Sequence, residues 1–175
     1  MTLLLDLSRF RGTADHIDRR FDPDVFGTST DDDFRVVAPA ELSAEVRKDA
    51  RKMRLVGRLQ TTLECACSRC LEMFTVPVDT KLDVLFLPST DNTGGQEDEV
   101  GEEDLGVSFY KDDQIDLGEV MREQFYLALP MKPLCREDCR GLCPVCGVNR
   151  NRESCTCQAE WVDPRMDALR RFKSQ

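Results

Sequence analysis

The sequence is poor in the residues and motifs on which many enzymes depend. Its 175 residues include one histidine, His16, and one tryptophan, and neither a GxxxxGK[ST] nor a GxGxxG phosphate-binding motif occurs. A hydrolytic metal site would also need an open coordination position and a nearby general base, which no segment around the thiols supplies. We therefore expect a protein without catalytic activity and without a small-molecule substrate.

Long apolar runs are also absent. No stretch approaches the roughly 18 consecutive apolar residues that a membrane-spanning helix requires. The leucines of MTLLLDLSRF end at Asp6 with no basic segment before them, unlike those of a secretory signal peptide. The expected location is the cytoplasm, with no membrane partner. In that reducing compartment, closely spaced cysteines bind metal more often than they form disulfides.

Basic residues are scarce in the body of the chain. The formal net charge is -9, and residues 1–129 contain 15 Lys and Arg against 27 Asp and Glu. Residues 130–175 reverse this balance, with nine basic side chains against six acidic ones. An acidic body repels phosphate backbones at long range, so any contact with nucleic acid would have to be local to the C-terminal segment or supported by a partner.

Apolar and polar side chains alternate in three stretches between residues 42 and 86. This period of two predicts β-strands, two of which flank the loop CACSRC. Further on, Asp116 can cap a helix over 116–129, which Pro130 ends. The predicted fold class is α+β, an antiparallel β-rich body with one or two packed helices and a C-terminal cysteine-rich zinc-binding module.

The predicted organisation has three parts. Residues 1–33 form an N-terminal arm of irregular or short elements. Residues 34–130 form the β-rich body, which includes an acidic loop at 89–106 with seven acids and no base. Residues 131–175 form the zinc-binding module and end in a helix that Asp163 caps.

Cysteine is abundant, with nine residues in the chain. Two thiolates separated by two residues can bind one zinc ion, because a tight turn between them directs both sulfurs inward. Cys143 and Cys146 have this spacing in CPVCG. Pro144 stiffens the turn, and Gly147 can take the positive φ that such a turn needs. This motif strongly predicts a metal site.

A second CxxC pair, Cys67 and Cys70, lies in the loop between two predicted strands. A lone CxxC can also be a redox pair, but a redox pair is expected at a helix N-terminus after a buried parallel strand. Metal binding is therefore the favoured interpretation. The neighbouring Cys65 is predicted to be a small buried hydrophobic residue, with an additional ligand as the alternative.

The remaining thiols occur as CxxxC and CxC, spacings that can add ligands to a site that a CxxC turn nucleates. Six C-terminal thiols exceed one four-ligand site by two, and the CSRC pair brings the total to eight. Eight ligands suffice for two structural Zn²⁺ sites, and a single site is the alternative. The candidate ligands are Cys143, Cys146, Cys139, Cys157, Cys135, Cys155, Cys67 and Cys70.

Several separate motifs resemble those of the YceD family of large-subunit ribosomal RNA accumulation proteins. They are LQTTLECACSRCLEMF, LALPMKPLCREDCRGLCPVCGVNRN, CTC and DPRMDALRRF, and the likeness extends over about residues 40–175. The resemblance implies a small non-enzymatic protein that supports accumulation of 23S ribosomal RNA and assembly of the large ribosomal subunit. Members of that family differ in how many of these cysteines they carry, so the metal prediction rests on the spacings in this chain.

The resemblance implies ribosomal RNA, a large-subunit ribosomal protein or an assembly intermediate as the partner. Candidate contact residues are Lys132, Arg136, Arg140, Arg150, Arg152 and, as a stacking group, Trp161. Ordinary solvated cations around a metal site are the alternative interpretation of these side chains. The alternative function is a zinc-ribbon adaptor that binds ribosomal proteins without contacting RNA, which the acidic loop favours.

Overall fold

The computed structural model describes residues 3–10, 12–27, 33–89 and 107–158. Its strands, numbered along the chain, are β1 Leu4–Asp6, β2 Ala14–Phe21, β3 Phe34–Val36, β4 Ala40–Asp49, β5 Lys52–Ala66, β6 Met73–Pro88, β7 Val107–Tyr110 and β8 Gln114–Asp116. Six of them form the main sheet in the order β2-β4-β5-β6-β7, and β3 pairs with β5 beyond the start of β4. β1 and β8 form a separate antiparallel ribbon.

The two faces of the main sheet follow the alternation in the sequence. On β5, Leu55, Leu59 and Leu63 are fully buried, whereas Arg54, Arg58 and Gln60 on the opposite face are exposed. The outward face carries cross-strand ion pairs, such as the one in which the Arg54 guanidinium donates two hydrogen bonds of 2.7 Å to Asp83 on β6. One face therefore packs in the core and the other meets solvent, as expected for the predicted β-rich body.

The pairing of β4 with β5 depends on a glycine. Gly57 lies opposite Ala44 in the register of the two strands. A Cβ atom at position 57 would lie 2.5 Å from the Cβ of Ala44, and closer still to the carbonyl oxygen of Ser43. Both neighbours belong to β4, which is paired with β2 on its other edge, so a larger residue would force β4 and β5 apart.

The last strand of the main sheet departs from the predicted antiparallel meander. β4, β5 and β6 are antiparallel neighbours, but β7 runs parallel to β6, with Val107 opposite Leu85. A parallel pair needs a long crossover instead of a tight turn, and residues 90–106 provide the chain length for it. The sequence of β7, VSFY, is typical of a strand, but its composition does not encode the direction in which the strand runs.

Helix α1 (Leu117–Ala128) is the α-helix of the described residues, and it begins at the predicted cap. The Asp116 carboxylate accepts hydrogen bonds from the backbone N–H groups of Gly118 (2.8 Å) and Glu119 (3.2 Å). These bonds satisfy two of the N–H groups that the first helical turn leaves without partners. The apolar side of the helix contributes Phe125, which is fully buried in the core.

The segment predicted to be an N-terminal arm contributes strands and core residues. β1 pairs with β8, and β2 pairs along its whole length with β4. Beyond β2, the ring of Phe26 lies edge-on to that of Phe125, with 5.5 Å between the ring centroids. The described part of this segment is therefore packed against the body of the protein.

Two predicted features fall outside the described residues. They are most of the acidic loop, at 90–106, and the helix after Asp163 together with Trp161. Within the described part of the chain, no helix is long and apolar enough to span a membrane.

Candidate metal centres

The first CxxC loop connects β5 to β6. Its backbone is closed by two hydrogen bonds of 2.9 Å, from the N–H of Leu71 to the carbonyl of Cys67 and from the N–H of Cys67 to the carbonyl of Glu72. Leu71 takes a φ of 60°, in the left-handed region that side chains disfavour. The loop thereby holds Cys67 and Cys70 close together at the end of the hairpin.

The second CxxC loop repeats this backbone structure. The N–H of Gly147 donates to the carbonyl of Cys143 (2.9 Å), and the N–H of Cys143 donates to the carbonyl of Val148 (2.8 Å). Gly147 occupies the position of Leu71 and has a φ of 74°, which confirms the predicted need for a positive φ there. The same turn has therefore formed twice, with glycine at the left-handed position in one loop and leucine in the other.

The C-terminal segment lies directly against the first loop. The N–H of Ser68 donates to the carbonyl of Pro133 (2.8 Å), and the N–H of Leu142 donates to the carbonyl of Arg69 (3.0 Å). The Arg69 guanidinium in turn donates to the carbonyl of Cys139 at 2.9 Å. Gly141 permits this close approach, since it has a φ of 69° and a Cβ there would lie 2.9 Å from the Arg69 carbonyl oxygen.

This docking assembles the first thiol cluster from Cys67, Cys70, Cys135 and Cys139. The four sulfurs lie within 4.8 Å of one another, and three of the residues are almost fully buried. Sγ of Cys67 is 3.8 Å from that of Cys139, and Sγ of Cys70 is 3.7 Å from that of Cys135. A tetrahedron of sulfurs at the usual Zn–S distance of about 2.3 Å has an edge of about 3.8 Å, whereas a disulfide would need about 2.05 Å. The spacing fits metal ligation.

The second thiol cluster contains Cys143, Cys146, Cys155 and Cys157. Its four sulfurs also lie within 4.8 Å of one another. Cys143 is buried, but Cys146 and Cys157 are exposed. This cluster is formed entirely within one short stretch of chain. Two groups of four cysteines could thus each hold a metal ion, and four soft thiolates are the ligand set that suits zinc.

The pKa is lowered for Cys67 and Cys139 in the first cluster and for Cys143 in the second. For Cys139, burial opposes ionisation, but hydrogen bonds from the Asn151 amide and the backbone N–H of Gly141 outweigh it. For Cys67, burial opposes ionisation, but hydrogen bonds from backbone N–H groups at Cys135, Cys70 and Arg69 outweigh it and lower the pKa to about 6. For Cys143, hydrogen bonds from the backbone N–H groups of Cys146 and Val145 lower the pKa to about 6 against the effect of burial. A thiol with a pKa of about 6 is mostly a thiolate at neutral pH, and the thiolate is the form that binds a metal ion.

Other thiols in each cluster hold their protons more tightly than usual. The pKa of Cys135 is raised to about 12 by burial and by hydrogen bonding to the Cys70 sulfur. That of Cys157 is raised to about 12 by hydrogen bonding to Cys146, and by burial. Several thiolates this close together would repel one another. A metal cation that displaces the protons would offset this repulsion and stabilise the cluster.

Two other side chains near the first cluster were not singled out in the sequence. The Asn151 amide donates to Sγ of Cys139 at 3.3 Å, and its oxygen accepts from the backbone N–H of Arg140 at 2.8 Å. Glu72 forms an ion pair with Arg152 at 2.5 Å. Glu72 follows CSRCL directly, which was a signal, whereas nothing in the local sequence marks Asn151.

Cys65 lies outside both thiol clusters. It is 2 % exposed and sits on β5 among core residues. Burial raises the pKa of its thiol, as expected for the small hydrophobic residue that the sequence favours over an additional ligand.

The five predicted basic contact residues lie on the described part of the C-terminal segment. Trp161, the predicted stacking group, is outside the described residues. Arg140, Arg150 and Arg152 line one cleft of about 370 Å³. Arg136 lines a neighbouring cleft and forms an ion pair with Asp138 at 3.4 Å. Lys132 is exposed and lines neither of these two clefts. The structure thus brings three of the six candidates together.

The fold and the two sites define a class of protein: a β-rich scaffold that carries two four-cysteine clusters. The sequence profile described as "Large ribosomal RNA subunit accumulation protein YceD" matches residues 55–173. The chain belongs to the YceD family. The match includes both thiol clusters and the arginine-lined cleft.

Individual relatives agree with this assignment. An uncharacterised protein of Mycobacterium tuberculosis is 34% identical over 74% of this chain and 59% of its own length. The chloroplastic "Large ribosomal RNA subunit accumulation protein YCED homolog 1" is 24% identical in Arabidopsis thaliana, over 82% of this chain and 51% of its own length. The protein of the same name in Zea mays is 26% identical over 69% of this chain and 49% of its own length. This chain thus spans about half to three fifths of the length of these relatives. No solved structure matches it significantly.

Proposed function

We propose that this protein supports the accumulation of 23S ribosomal RNA, and so the assembly of the large ribosomal subunit, without catalysing a reaction. Membership of the YceD family carries this proposal, because two plant relatives are named for large ribosomal RNA subunit accumulation. The protein acts in the cytoplasm on ribosomal RNA, large-subunit ribosomal proteins or their assembly intermediates.

Each thiol cluster binds one structural zinc ion in this proposal. The support is the sulfur spacing of 3.7 to 3.8 Å in the first cluster, the four-thiolate ligand set in both, and the backbone N–H groups that favour a thiolate at Cys67 and Cys143. With four thiolates per ion, no coordination position stays open for a substrate. The role of the metal is therefore to hold the chain in place.

Deletion of the gene in its host tests the function. The ratio of 23S to 16S ribosomal RNA is expected to fall, and the wild-type chain is expected to restore it. An unchanged ratio in the deletion strain would contradict the proposal. Elemental analysis of the purified chain tests the zinc ions, with two per chain expected and none in a variant that lacks all eight cluster cysteines.

A zinc-containing adaptor that acts only on ribosomal proteins is the second candidate. The sequence at 89–106 favours it, because seven acids without a base suit a basic ribosomal protein. Replacing these acids with Gln and Asn would then abolish the effect on ribosomal RNA. If RNA is the direct partner, the same variant would keep its effect.

A further inference from the structure

The cleft lined by Arg140, Arg150 and Arg152 has a composition suited to an anion. Its other lining residues are Asn151, Glu153, Ser154 and Cys155, so the lining contains three arginines, one acidic residue and no large apolar side chain. Protein–protein interfaces are usually anchored by aromatic residues and arginines that pack in a desolvated, largely apolar centre. A small, mostly polar recess lined by three arginines lacks such an apolar centre and matches a phosphodiester group better.

The arginine backbones are held by one hydrogen-bonded unit. The N–H of Arg150 donates to the carbonyl of Gly141 at 2.9 Å, and the N–H of Arg152 donates to the carbonyl of Asn149 at 3.0 Å. The N–H of Arg140 donates to the Asn151 side chain, which also contacts the first thiol cluster. The positions of the three Cα atoms are therefore fixed before any ligand arrives, which lowers the entropy lost on binding.

Charge compensation of the metal centres does not account for these arginines. Four thiolates around one divalent cation retain negative charge that nearby donors could offset. In the described part of the chain, however, the hydrogen bonds to cluster sulfurs come from backbone N–H groups, from other thiols and from Asn151. The guanidinium groups of Arg140 and Arg150 form no ion pair with any described residue. Their planar donors are available for a bidentate contact with phosphate.

Arg152 differs from Arg140 and Arg150 because its guanidinium group already forms an ion pair with the Glu72 carboxylate. The two side chains form an ion pair at 2.5 Å, and both are partly exposed, Glu72 at 35% and Arg152 at 74%. Glu72 and Arg152 also line the neighbouring cleft, so the ion pair stands at the junction of the two recesses. A phosphate group that enters the arginine cleft can replace the carboxylate on Arg152 without a change in the backbone.

We propose that the cleft formed by Arg140, Arg150 and Arg152 binds the RNA phosphate backbone directly, and that Glu72 competes with the phosphate for Arg152. The biological meaning of this site rests on the proposed function in large-subunit RNA accumulation. It makes RNA itself the partner and limits the contact to one small positive surface on an acidic protein.

The test measures binding of the zinc-loaded full chain to a fluorescent single-stranded RNA of mixed sequence, by anisotropy at several salt concentrations. Arg140→Glu with Arg150→Glu is expected to weaken binding by about tenfold or more and to lower the slope of log affinity against log salt by about one to two. The matched control is Lys48→Glu with Lys52→Glu, which makes the same change in net charge at the β4–β5 turn. That turn is separated by the length of β5, roughly 45 Å, from the first CxxC loop. The control is expected to bind as the wild type does.

Glu72→Gln separates competition from a structural role. Removing the competing carboxylate is expected to strengthen RNA binding by about two- to fivefold. If the ion pair merely holds the loop in place, the same substitution would weaken binding or leave it unchanged, which would overturn the competition. Arg140→Gln with Arg150→Gln serves as a milder pair if the charge reversal alters zinc content.

Several outcomes would overturn the proposal. They are no RNA binding by the wild-type chain, equal losses in the cleft and control variants, and displacement by poly-glutamate as effective as by RNA, which would indicate an acidic protein ligand. Cellular RNA levels separate the two claims. If deletion lowers 23S RNA while the purified chain ignores RNA, the cleft assignment fails and the proposed function stands.

Discussion

The two thiol clusters use the same loop but are assembled differently. The first joins residues that are 65 and 72 positions apart, Cys70 with Cys135 and Cys67 with Cys139. The second is confined to residues 143–157. The first is largely buried, whereas two of the four thiols of the second are exposed.

This difference separates a tertiary crosslink from a local one. Fixing two distant segments at one point removes far more conformational freedom from the unfolded chain than closing a short loop does. A metal ion bound as proposed in the first cluster would therefore join the C-terminal segment to the sheet, and one in the second cluster would fix that segment internally. Losing a ligand of the first cluster should therefore affect the stability of the whole protein, whereas losing a ligand of the second should affect only the C-terminal segment.

Cys139→Ser is expected to have the largest effect. It should reduce the zinc content from two per chain to one, release the segment from the CSRC loop and lower the free energy of unfolding by about 3 kcal/mol or more. Elemental analysis and denaturant unfolding check this. The matched control, Cys146→Ser, should also lose one zinc but change the unfolding of the sheet by less than about 1 kcal/mol. Equal destabilisation by the two variants would contradict the distinction.

The glycines beside the two loops give the next contrast. Gly141→Ala places a Cβ against the Arg69 carbonyl at a positive φ and should cost about 2 to 3 kcal/mol, with weaker retention of the first zinc. Gly147→Ala meets open space at a similar φ and should cost about 1 kcal/mol. Thermal unfolding with zinc in excess measures both. A Gly147 variant as unstable as the Gly141 variant would show that φ alone decides.

Chelation should remove the two metals at different rates. Because Cys146 and Cys157 are exposed, a chelator reaches the second cluster directly, whereas the first must open before it releases its ion. We expect a fast and a slow phase of zinc release, each of about one equivalent per chain. Cys146→Ser should abolish only the fast phase. If this variant lacked the slow phase instead, the slow phase would have to be assigned to the second cluster.

Leu71→Gly should have the smallest effect, and it should be stabilising. Leu71 has a φ of 60° and is 64% exposed, so its side chain gains little from burial while its backbone is strained. Glycine at the equivalent position of the second loop shows the relaxed form. The expected gain is at most about 1 kcal/mol, because the unfolded chain with glycine is more flexible. A loss of stability would mean that the Leu71 side chain packs usefully on a partner or on the loop.

The sequence was most informative where the signal is local. Alternation marked β5 and β6, the Asp116 cap marked the start of α1, and CPVCG marked a left-handed Gly147. The same reasoning did not reveal that β7 is parallel to β6. The strand's own residues fix its conformation, whereas its direction depends on how the chain crosses over.

The division of the cysteines shows the same limit. Spacing identified eight candidate ligands, but six C-terminal thiols can be divided into sites in several ways. The arrangement with the CSRC loop follows from the contacts of Ser68 and Arg69 with the C-terminal segment. Asn151 and Glu72 gained their contacts by the same docking.

The sequence by itself determined strands β4, β5 and β6, the helix cap, both CxxC turns and a basic C-terminal segment in an acidic protein. Each depends on interactions between residues a few positions apart. Only the tertiary structure decided which thiols share a cluster, that Cys65 stays outside both, and that three arginines line one cleft. These depend on contacts between segments up to 72 residues apart, whose geometry is set by packing of the whole sheet.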